Sequence, residues 1–226
     1  LENLMTRIHD MGGRLGEGKI SKEDENVKFK SKWEEEVFSL TIAMGFSGLW
    51  NLDASRFARE ALEPVDYLRF SYFEKWLAAL INLLNENEVI SATKEKNSAW
   101  FKKFRKLEAK NVSSLLERGS PTLREGIKKN KFEIGEKVKI KNFHGNEKVS
   151  GGHTRLPNYV KGRTGRIIYY HGTHVFPDSH AHFLGENPEP LYSIEFVNQE
   201  LWGKHYPFSE DTVIVDIWEN YICEKI

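Results

Sequence analysis

Length, composition and charge already exclude several classes of protein. The chain has 226 residues, of which 33 are Lys or Arg and 33 are Asp or Glu, so its formal net charge is zero. With 39% hydrophobic and 12% aromatic residues it can bury a core, which excludes an intrinsically disordered chain. Its single cysteine, Cys223, excludes an internal disulfide framework and a Cys-rich metal site within this chain alone.

Charge balance and hydropathy also bear on partners and location. A neutral chain is not typical of a protein that works chiefly as a clamp on nucleic acid or on a membrane surface. The longest apolar runs, such as residues 76–81, are much shorter than a membrane span. Arg7, His9 and Asp10 interrupt any signal-peptide core. These features predict a soluble, cytoplasmic protein that binds neither nucleic acid nor membrane.

Residues 1–30 are charged and rich in glycine, with Gly12, Gly13, Gly16 and Gly18 close together. Such a segment has no core of its own, so it is predicted to be an extended arm. The arm either lies on a partner chain or simply frays at the terminus, and composition alone leaves both readings open.

Residues 31–130 are predicted to form a helical domain. Ser31 and Glu34 have capping-box spacing ahead of a first helix, and Asp53 is positioned to cap a second. A third, long helix is predicted from Glu63-Pro64, since proline is tolerated in a first helical turn. Its apolar stripe comprises Val65, Leu68, Tyr72, Trp76, Leu80, Leu83 and Leu84.

A basic stretch follows the helices. Residues 94–131 hold twelve Lys or Arg against four Glu, with Trp100 and Phe101 predicted to anchor a short helix. Gly119-Ser120-Pro121 has the composition of a helix stop. The linker between two domains is therefore placed here.

Residues 131–226 change to the period of β-strands. Apolar and polar residues alternate over 132–140, a glycine turn at 162–165 leads into a second strand, and 191–197 and 212–218 give two more. Short strands separated by Gly and Pro turns predict a small antiparallel barrel, which we assign as SH3-like. The whole chain is thus predicted to be α+β.

Two kinds of site can be considered from the residues alone. His171, His174, His180 and His182 could bind a transition metal, but loop histidines that bond backbone or solvent are favoured because no HExxH or CxxC motif accompanies them. The glycine-centred loop at 160–167 resembles that of SH3-like modules that bind RNA, and the basic stretch supports RNA binding. Neutral overall charge and ten acids in the last fifty residues weigh against it.

Nine short segments, taken together and in order, resemble the beta subunit of nitrile hydratase over nearly the whole chain. No single segment is decisive, but their order and joint presence are specific. The segments are IHDMGG at 8–13, WE at 33–34, NLD at 51–53 followed by Arg56, PVDYL at 64–68, SYFEKW at 71–76, GHTRLP at 152–157, VFPD at 175–178, ELWG at 200–203 and VDIWENY at 215–221.

The resemblance implies half of a heteromeric enzyme that hydrates a nitrile to an amide. The metal, a non-corrin Co(III) or a non-haem Fe(III), is implied to be bound by the alpha subunit through a cysteine claw with two oxidised sulfurs. Segment 175–178 and the long linker slightly favour cobalt. The resemblance further implies an arm that wraps the alpha subunit, and it leaves heterodimer and heterotetramer open.

Site residues follow by position from the same resemblance. Arg56 and Arg155 match two arginines that hydrogen-bond the oxidised cysteines, and a planar guanidinium suits that task. The two guanidinium groups are expected to converge on one patch. Substrate-pocket residues are implied to be Leu52, Ser55, Tyr72 and Trp76, and the Tyr72 hydroxyl could orient the nitrile or the attacking water.

This sequence departs from the family at several positions. Ser55 stands where a bulkier residue is frequent, Phe73 where a second Tyr is frequent, and Lys75 where His is frequent. The charges of Arg69 and Lys75 raise the possibility of thiocyanate hydrolase, a relative that acts on an anion. A non-catalytic scaffold relative and an RNA-binding SH3-like protein also stay open as hypotheses.

Overall fold

The computed structural model describes residues 8–12, 27–90, 104–143 and 145–226. The chain divides into two compact units, Arg7–Gly119 and Ser120–Ile226. Most of the predicted arm, and the helix expected around Trp100 and Phe101, lie outside the described residues. The arm and the domain boundaries at 30 and 130 stay predictions.

The first unit is helical. Its helices are α1 (Lys32–Gly45), α2 (Leu52–Glu60), α3 (Pro64–Arg69), α4 (Tyr72–Glu86) and, after a 3-10 turn at Ala109–Asn111, α5 (Val112–Arg118). Helices α1 and α2 both pack on α4. The core that joins α2 to α4 consists of Trp50, Ala54, Ala58, Ala79, Leu80 and Leu83. Small residues on α2 let its backbone approach α4 closely, which fixes the α2 side chains beside α4.

Two of the predicted helix caps are wrong. Ser31 precedes α1, but its side chain makes no cap hydrogen bond, and the Glu34 carboxylate accepts from the backbone N–H of Lys30 instead. The cap of α2 is Asn51, whose Oδ1 accepts from the Ala54 N–H at 2.9 Å. An Asn at this position satisfies an orphan N–H as well as an Asp does. Asp53 therefore lies inside the first turn.

The predicted long helix is two helices with a break at residues 70–71. Ser71 and Glu74 form a capping box that starts α4, in which the Glu74 carboxylate accepts from the Ser71 N–H at 2.7 Å. The predicted stripe is buried only toward its C-terminal end, at Leu80 and Leu83. Val65 and Leu68 on α3 are 73% and 61% exposed.

The second unit is built on a five-stranded antiparallel sheet. Its strands are β1 (Lys137–Ile140), β2 (Thr164–His174), β3 (Glu189–Val197), β4 (Thr212–Trp218) and β5 (Ile222–Lys225), in the order β4-β3-β2-β1-β5. The four predicted antiparallel strands are confirmed, and β5 was not predicted. Within the described residues the edge strands β4 and β5 do not pair with each other, so the sheet is open and a closed barrel is not seen.

Short helical turns cover the sheet and complete its core. They are a 3-10 turn at Asn158–Val160, α6 (Pro177–His180), α7 (Asn198–Trp202) and a second 3-10 turn at Glu219–Tyr221. Tyr192, Ile194, Phe196 and Ile217 are fully buried beneath them. None of the described helices is long and apolar enough to cross a membrane.

Candidate functional site

An open cleft of about 310 Å³ lies among α2, α3 and α4 of the helical unit. It holds three of the residues predicted for the site, Arg56, Tyr72 and Trp76. Leu52, 47% exposed, and Ser55, half-buried, are not among the residues that line it. The lining consists of His9, Arg56, Arg59, Glu60, Tyr67, Tyr72, Lys75 and Trp76.

Arg56 is held at the cleft by its neighbour on α2. Its Nη1 donates to Asp53 Oδ1 at 2.9 Å, and the Asp53 side chain is only 5% exposed while that of Arg56 is 37% exposed. A nearly buried carboxylate thus fixes one nitrogen of the fork, because residues three apart share a helix face. The Asn51 cap sets the start of α2 and so the position of this pair.

Two further cations lie against aromatic faces in the cleft. The Arg59 guanidinium carbon is 4.8 Å from the centre of the Trp76 ring, and Lys75 Nζ is 4.2 Å from that of Tyr67. Burial lowers the pKa of Arg59, and nearby Tyr72 opposes that shift. Burial also raises the pKa of Tyr67. Arg59 was not predicted from the sequence, although it lies one turn beyond Arg56 on α2.

Aromatic rings form one wall of the cleft. The rings of Tyr72 and Trp76, one turn apart on α4, are 5.6 Å apart, and Phe73 packs against both. Tyr72 is nevertheless 64% exposed. The role predicted for its hydroxyl, orienting the nitrile or the attacking water, stays a prediction.

Arg155 lies on the other unit, in the loop that follows the buried His153. Its side chain is exposed, but the loop beneath it is tied to the buried hydroxyl of Tyr221. That hydroxyl accepts from the Arg155 backbone N–H and from Thr154 Oγ1, both at 3.2 Å. It also donates to Asp178 Oδ1. A tied backbone of this kind holds the start of the Arg155 side chain in place.

Asp178 is the buried acid of this network. Burial raises its pKa to about 7, against hydrogen bonding from Tyr221 and the nearby His153. Asn146 Nδ2 donates to the carbonyls of both Asp178 and His153 at 2.7 Å. The loop before Arg155 and the turn at Asp178 are thus bonded to each other. Both segments were recognised in the sequence, but no role was predicted for Asp178 or Tyr221.

The hypothesis of a histidine metal site finds no support in the described residues, which hold no group of three or more His, Cys, Asp or Glu side chains arranged as ligands. His171 Nε2 is 2.7 Å from Ser193 Oγ, and His174 Nδ1 is 2.9 Å from Thr122 Oγ1. His182 Nε2 accepts from the His153 backbone N–H at 2.9 Å. His182 thus bonds backbone as predicted, but His171 and His174 lie on β2 and contact side-chain hydroxyls, so the prediction that they are loop histidines is wrong.

The sequence matches two family profiles that together cover nearly all of it. The profile described as "Nitrile hydratase beta subunit, N-terminal" matches residues 5–117, and that described as "Nitrile hydratase beta subunit, C-terminal" matches residues 121–224. Both site arginines fall within these matches, one in each.

Similar curated proteins agree with the profiles. The "low-molecular weight cobalt-containing nitrile hydratase subunit beta" of Rhodococcus rhodochrous is 33% identical, covering 96% of this chain and 99% of that protein. The nitrile hydratase subunit beta of Pseudomonas putida is also 33% identical, with the same coverage. The thiocyanate hydrolase subunit alpha of Thiobacillus thioparus is 31% identical over only 46% of this chain. The chain belongs to the nitrile hydratase beta subunit family.

Proposed function

We propose that this chain is the beta component of a heteromeric nitrile hydratase, which adds water to a nitrile to give an amide. The observation that carries the proposal is the geometry of Arg56. It stands on an open aromatic cleft with one nitrogen held by the nearly buried Asp53. A guanidinium held in this way is pre-oriented to donate parallel hydrogen bonds to an oxyanion.

Exposed apolar side chains on the helical unit support a partner chain. Leu52, Val65, Leu68 and Tyr72 are large hydrophobic residues that are 47%, 73%, 61% and 64% exposed. Large exposed apolar groups close together in sequence are typical of a surface that another protein covers. The alpha subunit of the enzyme is the proposed partner, as a heterodimer or a heterotetramer.

The metal of the proposed enzyme belongs to the alpha subunit, and this chain's residues fit that division. The single cysteine is exposed on β5, so this chain cannot supply a set of cysteine ligands for the metal. When bound by the partner, Co(III) or Fe(III) would supply Lewis-acid chemistry for the nitrile. Cobalt is favoured because relatives from Rhodococcus rhodochrous and Pseudonocardia thermophila are named as cobalt-containing.

Each site residue of this chain has a proposed task. Arg56 and Arg155 would hold the oxygens of the oxidised cysteines and so tune the metal through hydrogen bonds. Tyr72 would orient the nitrile or the attacking water by its hydroxyl, and Trp76 would contact the apolar part of the substrate. Convergence of the two arginines on one patch, the SH3-like classification of the sheet and a cytoplasmic location remain predictions.

Arg56→Lys tests the proposal directly. Lysine keeps the charge but cannot make two parallel hydrogen bonds, so turnover by the purified, metal-loaded heteromer should fall about 10- to 100-fold. Arg69→Lys is the matched control, since Arg69 pairs with Asp66 at 2.8 Å, is 68% exposed and does not line the cleft. Metal content and nitrile turnover are measured together. Equal turnover by wild type and Arg56→Lys would refute the assigned role.

Thiocyanate hydrolysis is the second candidate because three cations line the cleft. A heteromer that released carbonyl sulfide from thiocyanate and left nitriles unchanged would replace the main proposal. Co-purification of RNA with a metal-free chain would instead favour an RNA-binding protein, and an assembled heteromer without turnover would favour the scaffold.

A further inference from the structure

The cleft carries more positive charge than its own carboxylates balance. Arg56, Arg59 and Lys75 line it, and Glu60 is the single carboxylate among the described lining residues. Glu60 already lies 3.8 Å from His9 Nε2, and Arg56 is bonded to Asp53. Glu60 also attracts Arg59 electrostatically, so once the Arg56–Asp53 pair is set aside, one carboxylate faces the two cations Arg59 and Lys75, and the net excess is one positive charge.

Neither Arg59 nor Lys75 lies within 4 Å of a carboxylate oxygen in the part of the chain that the structure describes. Both cations rest on aromatic faces, Arg59 on Trp76 and Lys75 on Tyr67. A cation–π contact holds a side chain in place without using its hydrogen-bond donors. Both residues thus keep donors for an added anion.

The surroundings of Arg59 strengthen its attraction for an anion. This side chain is half-buried, and desolvation is the main cause that lowers its pKa. A charge with little water around it gains more from a counter-ion than a fully hydrated one does. An anion that entered the cleft would also relieve the repulsion from nearby Arg56, which acts in the same direction.

Cleft size and lining favour a small ligand over a carboxylate of a partner chain. The cleft holds about 310 Å³, which falls in the range of sites for small molecules. Tyr67, Tyr72 and Trp76 offer flat apolar surface for a compact organic body. We infer that Arg59 and Lys75 bind a carboxylate on the substrate, an inference that rests on the function proposed above. The preferred substrates are therefore small nitriles that bear a carboxylate.

The test compares 4-cyanobenzoate with its uncharged methyl ester on the metal-loaded heteromer. We expect kcat/KM to favour the carboxylate roughly tenfold, and the preference to shrink from about 20 mM to about 500 mM salt. Arg59→Gln and Lys75→Gln should each lower kcat/KM for 4-cyanobenzoate roughly tenfold, mainly by raising KM. Each variant should change kcat/KM for the methyl ester less than about twofold. Arg69→Gln, outside the cleft, should change neither.

Calorimetric titration with benzoate gives a readout that does not depend on turnover. Benzoate should bind the wild-type heteromer and bind Arg59→Gln and Lys75→Gln roughly tenfold more weakly. Benzoate binding without turnover of any nitrile would support the anion site and refute the proposed function. Turnover of the ester with no preference for the carboxylate and no benzoate binding would overturn the inference and leave the function standing.

A partner carboxylate in the cleft would give a different pattern. The two variants would then lose activity towards both substrates equally, and they would co-elute less with the alpha subunit. That result would also overturn the inference, because the cations would serve assembly instead of substrate choice.

Discussion

Tyr221→Phe removes one hydroxyl from the centre of the network beneath Arg155 and leaves the ring in place. The Tyr221 ring is 1% exposed and packs against Phe143, Phe176 and Trp218 at centroid distances of 6.2, 5.5 and 6.4 Å. Phenylalanine keeps these contacts, so little cavity forms. The change in stability therefore measures the hydroxyl.

Three hydrogen bonds are lost in this variant. Thr154 Oγ1 and the Arg155 N–H lose their acceptor, and Asp178 loses a donor. At about 1 kcal/mol for each neutral bond, the loss is about 3 kcal/mol when Asp178 is protonated. A bond to an ionised carboxylate is worth about 1–2 kcal/mol more, so the loss should reach about 4–5 kcal/mol when Asp178 is charged.

The sign of the pH dependence follows from Asp178. Burial raises its folded-state pKa from 3.8 to about 7, so wild-type stability falls as pH rises between those values and then levels off. The Tyr221 hydrogen bond opposes the upward shift. Without it the folded pKa is higher still, and the loss of stability continues above pH 7. The penalty of Tyr221→Phe must therefore grow with pH.

Urea unfolding of the full chain, followed by circular dichroism at about pH 5.5 and about pH 8.5, measures this penalty. Tyr169→Phe is the control, because Tyr169 is 56% exposed, and we expect its effect to stay within about 0.5 kcal/mol. Equal stability of the two variants would show that the hydroxyl network contributes nothing. A penalty that shrinks with rising pH would refute the assignment of Asp178 as a buried acid.

Three further substitutions test other parts of the structure. Asn51→Ala should cost about 1 kcal/mol by removing the α2 cap and should lower turnover through Arg56, which thermal unfolding and kinetics of the heteromer check. Gly165→Ala should cost about 3 kcal/mol because its Cβ would lie 2.5 Å from Ile194 Cγ2, and a melting temperature equal to wild type would contradict that contact. Asp178→Asn should gain stability relative to wild type as pH rises from about 4 to 7, by up to roughly 4 kcal/mol, and a difference that is flat in pH would exclude the raised pKa.

The spacing of apolar residues predicted which segments are helices and which are strands, but not where each of them begins and ends. Alternation marked β1, in which exposed and buried residues alternate, and a glycine turn marked the start of β2, whereas β3 is buried on both faces over residues 189–194. Spacing did not mark the break at 70–71, since the apolar spacing of α3 continues into α4. The Ser71 and Glu74 pair was the available signal, and it has the same spacing as the Ser31 and Glu34 pair that proved not to be a capping box.

Closure of the sheet depends on contacts that a strand pattern does not contain. Alternation of apolar and polar residues indicates which face of a strand is buried, but it does not indicate which two strands lie at the edges of the sheet. The last strand, β5, is only four residues long and mostly exposed, so its apolar signal is weak. It pairs with β1, the first strand, and no local pattern indicates such a distant partner.

The residues of the candidate site likewise divide into those that the sequence could identify and those that required the structure. Arg56, Tyr72 and Trp76 lie in short motifs and could be named from the sequence. Lys75 lies in the same motif as Tyr72 and Trp76, whereas Arg59 could be placed in the cleft only after the small α2 residues were seen to pack on α4, which brings the two helices close. Residue spacing within one helix does not carry that information.

Three of the sequence segments that identify the family meet in one place, at the network of Thr154, Asp178 and Tyr221. Stability does not explain the carboxyl, because a buried acid with a pKa near 7 weakens the fold at neutral pH and an amide could also accept from Tyr221. Positioning does explain it, since an ionised carboxylate accepts from the Tyr221 hydroxyl more strongly than an amide would, and the same Tyr221 oxygen accepts from the Arg155 N–H and so holds the loop that carries Arg155. A residue that lowers the stability of the fold but orders a proposed functional site is expected where a protein trades stability for function.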